Sequence, residues 1–265
     1  CTALVSSSPS ADDSSPPPPG DLDGIVARLE DPAADPAQID EILRAVGWGP
    51  GWPLEEAGRW LFLTRWEAAQ GVGLVGDVTD WLPVAATTTA SGLHHWVVLG
   101  TGELQALPQG ALYKWTDEAD SFRAPPEATA YGFDGFGRFG YVRPPLDAAW
   151  AEQFPSWRSA FLEDERGFRA WLPAGFVPGA PEAGTFRSVL AQDGQNLFDP
   201  EAFFGGWRLD EALELGGWAD VVVLAVDNAP DRMDAYSPTT DQIPGDPGPA
   251  IGGRLEDYHD LLRQE

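Results

Sequence analysis

Apolar positions change period several times along this chain. Leu22, Ile25, Val26 and Leu29 recur at helix spacing, and Asp35-Pro36 offers an N-cap followed by a proline at the first helical position, ahead of Ile39, Ile42, Leu43 and Val46. Two short amphipathic helices are predicted, ended by a Gly/Pro/Trp turn from Gly47 to Pro53. The pattern then shifts to short runs rich in β-branched and aromatic residues: Trp60–Leu63, Val72–Val75, Trp96–Leu99, Ala111–Trp115 and Phe139–Val142. Short strands at such spacing, separated by turn residues, predict an all-β sandwich closed by Pro144-Pro145.

Beyond it, Leu146 to Trp157 carries Trp150, Phe154 and Trp157 and reads as a helical or irregular connector. A strand Ser159–Leu162, an acidic turn at Glu163-Asp164-Glu165 and a strand from Gly167 to Pro173 come after it, then a Pro/Gly-rich loop to Gly184. Next come a buried-type strand Phe186–Ala191, a loop to Trp207, a helix Arg208–Leu215, a continuous apolar strand Val221–Val226, a long loop to Gly253 and a final helix Arg254–Gln264. Alternating strands and helices with fully apolar strands predict a mainly parallel sheet covered on both faces. The expected organisation is a tether over 1–20, a short helical segment over 21–57, a β-sandwich over 58–145 and a three-layer α/β domain over 146–265.

Composition narrows the functions. The formal net charge is −26, which repels phosphate backbones and disfavours a nucleic-acid role. With 43% hydrophobic residues, 12 Trp and 13 Phe, the chain can bury a sizeable core. No apolar stretch reaches the roughly 18 residues of a membrane-spanning helix. The sole cysteine, Cys1, stands first, before a Ser/Pro/Asp tract from Ser6 to Gly20 that favours extended geometry. Such a start resembles a bacterial lipoprotein after signal-peptidase cleavage, which implies a diacylglyceryl group on Cys1 and an extracytoplasmic, membrane-anchored location. A chance chain boundary is the plainer alternative. One cysteine permits no internal disulfide.

Within the β-rich block, Leu74-Val75-Gly76-Asp77-Val78-Thr79-Asp80-Trp81, His95-Trp96, Tyr113-Lys114-Trp115 and Tyr131 to Phe139 resemble the early-set immunoglobulin-like module found ahead of glycogen-processing enzymes and some bacterial esterases. The resemblance covers Gly58 to Arg143. Some modules of that family lay sugar rings on Trp faces, which implies Trp81, Trp96 and Trp115 as platforms for a polysaccharide. The alternative is that these aromatics are core.

The most specific text is Ala191-Gln192-Asp193-Gly194-Gln195-Asn196-Leu197-Phe198-Asp199-Pro200, with Phe204-Gly205-Gly206-Trp207, Val226-Asp227-Asn228 and Arg232-Met233-Asp234-Ala235-Tyr236. Together with Arg169 to Pro173 it resembles the esterase family of enterochelin esterases, esterase D and feruloyl-type esterases, which implies an α/β-hydrolase fold over Ser159 to Glu265. The implied reaction is hydrolysis of a small-molecule carboxylic ester through an acyl-serine intermediate, with no metal and no organic cofactor. In that arrangement one oxyanion donor comes from the loop after the third strand, here Gly194 with the Gln195 N–H, and Asp193 and Asn196 would face the substrate beside it. The plainer reading is that Asp193-Gly194 turns the chain while Asn196 and Asp199 cap the next segment. Arg232 and Tyr236 lie after an apolar strand, where a substrate pocket forms, although Arg232 could instead pair with Asp234 or Asp241 and merely hold the loop.

A serine esterase also needs a nucleophile elbow, an acid and a histidine. No G-x-S-x-G occurs, and the histidines are His94, His95 and His259, so no triad can be assembled from these residues. In the family the last helix is followed by the nucleophile strand. The expectation is therefore the front half of an esterase, or a remnant of one, inactive alone, with Phe186–Ala191 left as an open apolar edge. The competing expectation is a non-catalytic surface lipoprotein that binds polysaccharide. A carboxylate metal site is not supported, because no loop has EF-hand spacing.

Overall fold

A computed structural model of the chain describes residues 20–67, 69–100, 109–119, 121–158, 165–177, 180, 185–242, 248 and 250–264. Cys1, nearly all of the tether and the expected strand Ser159–Leu162 lie outside the described residues. Helices α1 (Leu22–Glu30) and α2 (Pro36–Trp48) form as their spacing predicts. The Asp21 and Asp35 carboxylates cap them by accepting from the Gly24 and Ala37 amides.

Both helices lie on a four-stranded sheet ordered β1 (Leu54–Glu56), β2 (Arg59–Arg65), β6 (His94–Leu99) and β5 (Thr87–Thr88). Strand alternation divides the side chains of this sheet. Leu61, Leu63 and Trp96 meet Leu22, Ile25, Ile39 and Val46 of the helices. Trp60, Phe62, Val97 and Leu99 turn the other way, into a core shared with Leu74, Tyr113 and Trp115 of a second sheet. Two sheets thus enclose one core over this block.

The second sheet has ten strands. Its order is β13 (Arg187–Gln192), β14 (Val221–Val226), β12 (Glu165–Leu172), β11 (Trp150–Arg158), β9 (Ala130–Asp134), β10 (Gly137–Tyr141), β7 (Leu112–Thr116), β3 (Gly73–Gly76) and β4 (Val84–Ala85), with β8 (Phe122–Arg123) on β7. It is continuous from the front block into the rear one, because β11 pairs with both β9 and β12. Residues 150–158 are therefore strand, not the helix or irregular connector expected. The register shifts between Phe154 and Trp157, and Trp48 of α2 stacks on Phe154 at 5.3 Å beside that irregularity.

The expectation of a mainly parallel sheet is also corrected. Among the described residues only β13 and β14 run parallel, while β12 joins β14 and β11 antiparallel. Strand β13 is the edge of the sheet, and Val189 and Leu190 are 41% and 59% exposed, so it is an open apolar edge and not a buried strand. One face of the rear sheet is covered by α3 (Leu209–Leu215), whose Leu213 packs with Trp171, Phe198, Val221 and Val223. The long loop before Gly253 contains a short helix, α4 (Arg232–Tyr236), and the strand pair β15 (Thr240–Asp241) and β16 (Ile251–Gly252). The last helix, α5 (Leu255–Gln264), packs on α4 through Tyr258, which meets Tyr236 edge-on at 5.1 Å.

Candidate functional site

The parallel pair β13 and β14 ends with Gln192 opposite Val226, so the next residues of both strands emerge side by side at one rim of the sheet. From β13 the chain enters Asp193 at φ 57°, a left-handed conformation, and then one 3-10 turn over Gly194–Asn196. Aspartate tolerates the left-handed region better than most residues because its short side chain can bond locally. From β14 it enters Asp227 and Asn228.

These two segments are interlocked. The Asn228 amide donates to Gln195 Oε1 at 2.9 Å, and Asn228 Nδ2 donates to Asp193 Oδ1 at 3.2 Å. Arg232, at the start of α4, places Nη2 2.9 Å from Asp193 Oδ2, and the Tyr236 hydroxyl lies 3.5 Å from Asp193 Oδ1. Asp193 is 4% exposed, so its buried carboxylate is the hub that ties the turn to α4. Burial first, and the Asp193 charge second, push the Tyr236 phenol above the ordinary tyrosine value, which keeps it protonated as a donor.

Gly194 fits for a steric reason. A Cβ there would stand 2.7 Å from Asp227 Oδ1 and 3.1 Å from the Ala225 Cβ, so the turn lies flat against the Asp227 carboxylate. The other carboxylate oxygen is likewise 2.7 Å from where a Cβ on Gly167 would be. Two hydrogen bonds from Arg169, Nε to Oδ1 at 2.8 Å and Nη2 to Oδ2 at 3.1 Å, fix that carboxylate. Burial alone would lower the Arg169 pKa, but these bonds and the Asp227 charge carry it above the ordinary arginine value. Below the turn, Arg166 is 1% exposed and paired with Asp231, the residue before α4, so the wall carrying Arg232 and Tyr236 is tied to β12.

The amides of the turn divide into two kinds. Asn196 N–H donates to the Asp193 carbonyl at 2.8 Å and Leu197 N–H to the Gly194 carbonyl at 3.2 Å. Among the described residues no oxygen accepts from the Gln195 N–H, and Gln195 is partly exposed. Asp193, Gly194, Gln195, Arg232 and Tyr236 are brought together, but the Asp193 carboxylate is buried against Arg232, Asn228 and Tyr236 and does not face a substrate, and Asn196 is held to them through the backbone. Arg232 pairs with Asp193, not with Asp234 or Asp241. Asp227, Arg169 and Asn228 were not singled out for a role in the sequence. The sequence marks Asp227 and Asn228 only as the Asp-Asn pair after the apolar strand, and Arg169 only as the first residue of the text Arg169 to Pro173.

The other candidate residues lie elsewhere. Trp96 and Trp115 are 4% and 0% exposed and belong to the two cores, so neither can offer a face to a sugar. Trp81 is 45% exposed, with its Nε1 donating to Asp77 Oδ1 at 3.1 Å. His94 Nε2 lies 2.8 Å from Asp40 Oδ1 beneath α2, His95 contacts Thr88 Oγ1 and the Trp66 carbonyl, and His259 is exposed on α5. None of them stands at the rim of β13 and β14. No helix among the described residues is long and apolar enough to cross a membrane, and no group of three or more metal-ligating side chains is present among them.

The class these features define is a mixed α/β protein with a carboxylate-anchored turn at the rim of a parallel strand pair. No protein-family model matches the chain, and no curated protein matches it. Among solved structures it is similar to an IroE-like serine hydrolase from Shewanella oneidensis, at 20% identity and a TM-score of 0.33, over 43% of this chain and 36% of that one. It is also similar to the enterobactin esterase FES from Shigella flexneri, at 12% identity and a TM-score of 0.29, over 78% of this chain and 58% of that one. A thermostable esterase is matched at 11% identity and a TM-score of 0.27, over 80% of this chain and 63% of that one. The chain thus spans less than two thirds of the length of each.

Proposed function

We propose that the chain carries the oxyanion turn of a carboxylic-ester hydrolase that works through an acyl-serine intermediate, with the nucleophile supplied by polypeptide beyond these 265 residues. The observation that carries this reading is the unoccupied Gln195 N–H, on a turn fixed by Asp193, Asp227 and Asn228 at the rim of β13 and β14. A tetrahedral intermediate concentrates charge on the former carbonyl oxygen, and one fixed donor there stabilises it by about 3 to 4 kcal/mol. A donor already held in place needs no reorganisation during the reaction. Arg232 and Tyr236 would form the wall over the ester.

In this reading the front block is an early-set immunoglobulin-like module, supported by its two sheets around one core. The chain is anchored to a bacterial membrane through lipid on Cys1, outside the cytoplasm. Intact-mass analysis of the native N-terminus tests the anchor, and an unmodified Cys1 thiol removes it. The polysaccharide-binding alternative loses two of its three aromatic platforms to the cores.

The test extends the chain along its reading frame past Glu265. A G-x-S-x-G segment within about 30 residues is expected, with hydrolysis of p-nitrophenyl acetate blocked by a serine-directed phosphonate. In the extended protein, Gln195→Pro deletes the amide and lowers kcat about 10² to 10³-fold, while Gln195→Ala keeps the amide, gives up only the side-chain tie to Asn228 and costs about tenfold less. A stop codon in place of that segment, or equal loss in both variants, contradicts the proposal.

A further inference from the structure

The face of the rear sheet turned away from α3 carries a cavity of about 490 Å³, bounded by Trp48 of α2 and Leu262 of α5. Strand pairing sets its floor. Leu190 lies opposite Leu224, and alternation puts Leu224 on the same face as Val226 and its partner Phe168. Phe154 and Trp157 of β11 are three residues apart and would point to opposite faces of a regular strand. Phe154 pairs with Phe168 and Trp157 with Arg166, so β11 contains one more residue than β12 over this stretch. That extra residue brings both rings to the cavity face. Trp48 meets them at 5.3 and 5.5 Å and Phe168 at 5.6 Å, so one wall is aromatic while Leu190, Leu224 and Leu262 make the other aliphatic.

Charge decides what such a space accepts. In a chain of net charge −26, no carboxylate among the described residues lines it, and its one guanidinium, Arg169, is held by both oxygens of Asp227. A charged guest would lose its hydration there and meet no free counter-charge. The four rings are partly exposed, and Leu190 and Leu224 are 59% and 44% exposed, so the apolar surface is open to a guest. The volume is that of a small-molecule site, about three times the size of a dry apolar cavity that holds benzene. We infer that this cavity binds an uncharged molecule built of two aromatic ring systems, packed against Phe168 and Trp157 on one side and Leu190 and Leu224 on the other. The inference is independent of the ester-hydrolase reading.

Fluorescence titration of the chain with N-phenyl-1-naphthylamine, and with 1-anilinonaphthalene-8-sulfonate, which has the same rings plus a sulfonate, tests it. Physiological salt screens the general repulsion of an anionic dye by the acidic chain. The uncharged dye is expected to bind as a single molecule per chain, at least about tenfold more tightly than the sulfonate. Leu224→Gln in the floor and Leu190→Gln at the exposed edge should each weaken it by about tenfold, while Leu215→Gln, 90% exposed on α3 across the sheet, leaves the affinity unchanged. Circular dichroism confirms that each variant is folded. The same titration on the chain extended past Glu265, and over a range of chain concentrations, distinguishes an open cavity from a covered one. Equal affinity for the two dyes, or equal effects of the cavity variants and Leu215→Gln, would overturn the inference. So would loss of binding on extension or at high chain concentration, which would mean that further polypeptide or a second copy fills the space.

Discussion

Replacing Gly194 by alanine tests whether the turn lies flat against Asp227. Gly194 does not have a positive φ, so alanine suffers no backbone strain there and the cost is steric. The added methyl would meet Asp227 Oδ1 at 2.7 Å, the Ala225 Cβ at 3.1 Å and the Ala225 carbonyl carbon at 3.3 Å. Ala225 is within a central strand and cannot retreat, while the two Arg169 hydrogen bonds hold Asp227. Overpacking of this kind costs about 1 to 3 kcal/mol. Against it, alanine reduces the entropy of the unfolded chain, worth about 0.4 to 1 kcal/mol. The expected net loss is about 1 to 2 kcal/mol, read as a lower urea midpoint by tryptophan fluorescence. A second arm uses Asp227→Ala, which vacates the space. In that background Gly194→Ala should cost less, with a coupling of about 1 kcal/mol in the double-mutant cycle. A Gly194→Ala protein as stable as the parent, with no coupling to Asp227, would refute the close approach and with it the anchored turn.

Asp231→Ala leaves the buried Arg166 guanidinium without its carboxylate and should cost about 3 to 5 kcal/mol, measured by urea denaturation. Glu127, with Thr64 and the Arg65 amide as donors, is raised above the ordinary glutamate value chiefly by burial. The folded state therefore binds this proton more tightly than the unfolded state. Stability falls as pH rises from the ordinary glutamate pKa through the raised one, and the fall in a pH series should flatten in Glu127→Gln.

Much of the architecture was legible wherever one period dominated. The α1 and α2 positions are spaced for one buried face, and Asp35 before Pro36 marks a helix start on the sequence alone. The strand runs around Trp60, Trp96 and Trp115 were equally plain. Strand β11 was not, because Trp150, Phe154 and Trp157 are spaced like one side of a helix, and the break in register between Phe154 and Trp157 interrupts the strand alternation. Strand direction was misread for a different reason. The run Val221–Val226 signals burial on both faces, which is silent about whether its neighbours run parallel or antiparallel. At the site, Gly194 and Gln195 stood out from local text, but the pairing of Arg232 with Asp193 joins two loops that only strand pairing brings together. The same holds for Asp227, whose place between two glycines results from β12, β13 and β14 being adjacent.

Amide hydrogen exchange at single-residue resolution in the folded chain addresses the unoccupied donor most directly. The Gln195 amide is expected to exchange much faster than those of Asn196 and Leu197, whose hydrogens are held by the carbonyls of Asp193 and Gly194. Protection of Gln195 equal to that of its two neighbours would mean that the protein's own oxygens already occupy the donor, leaving none for an ester.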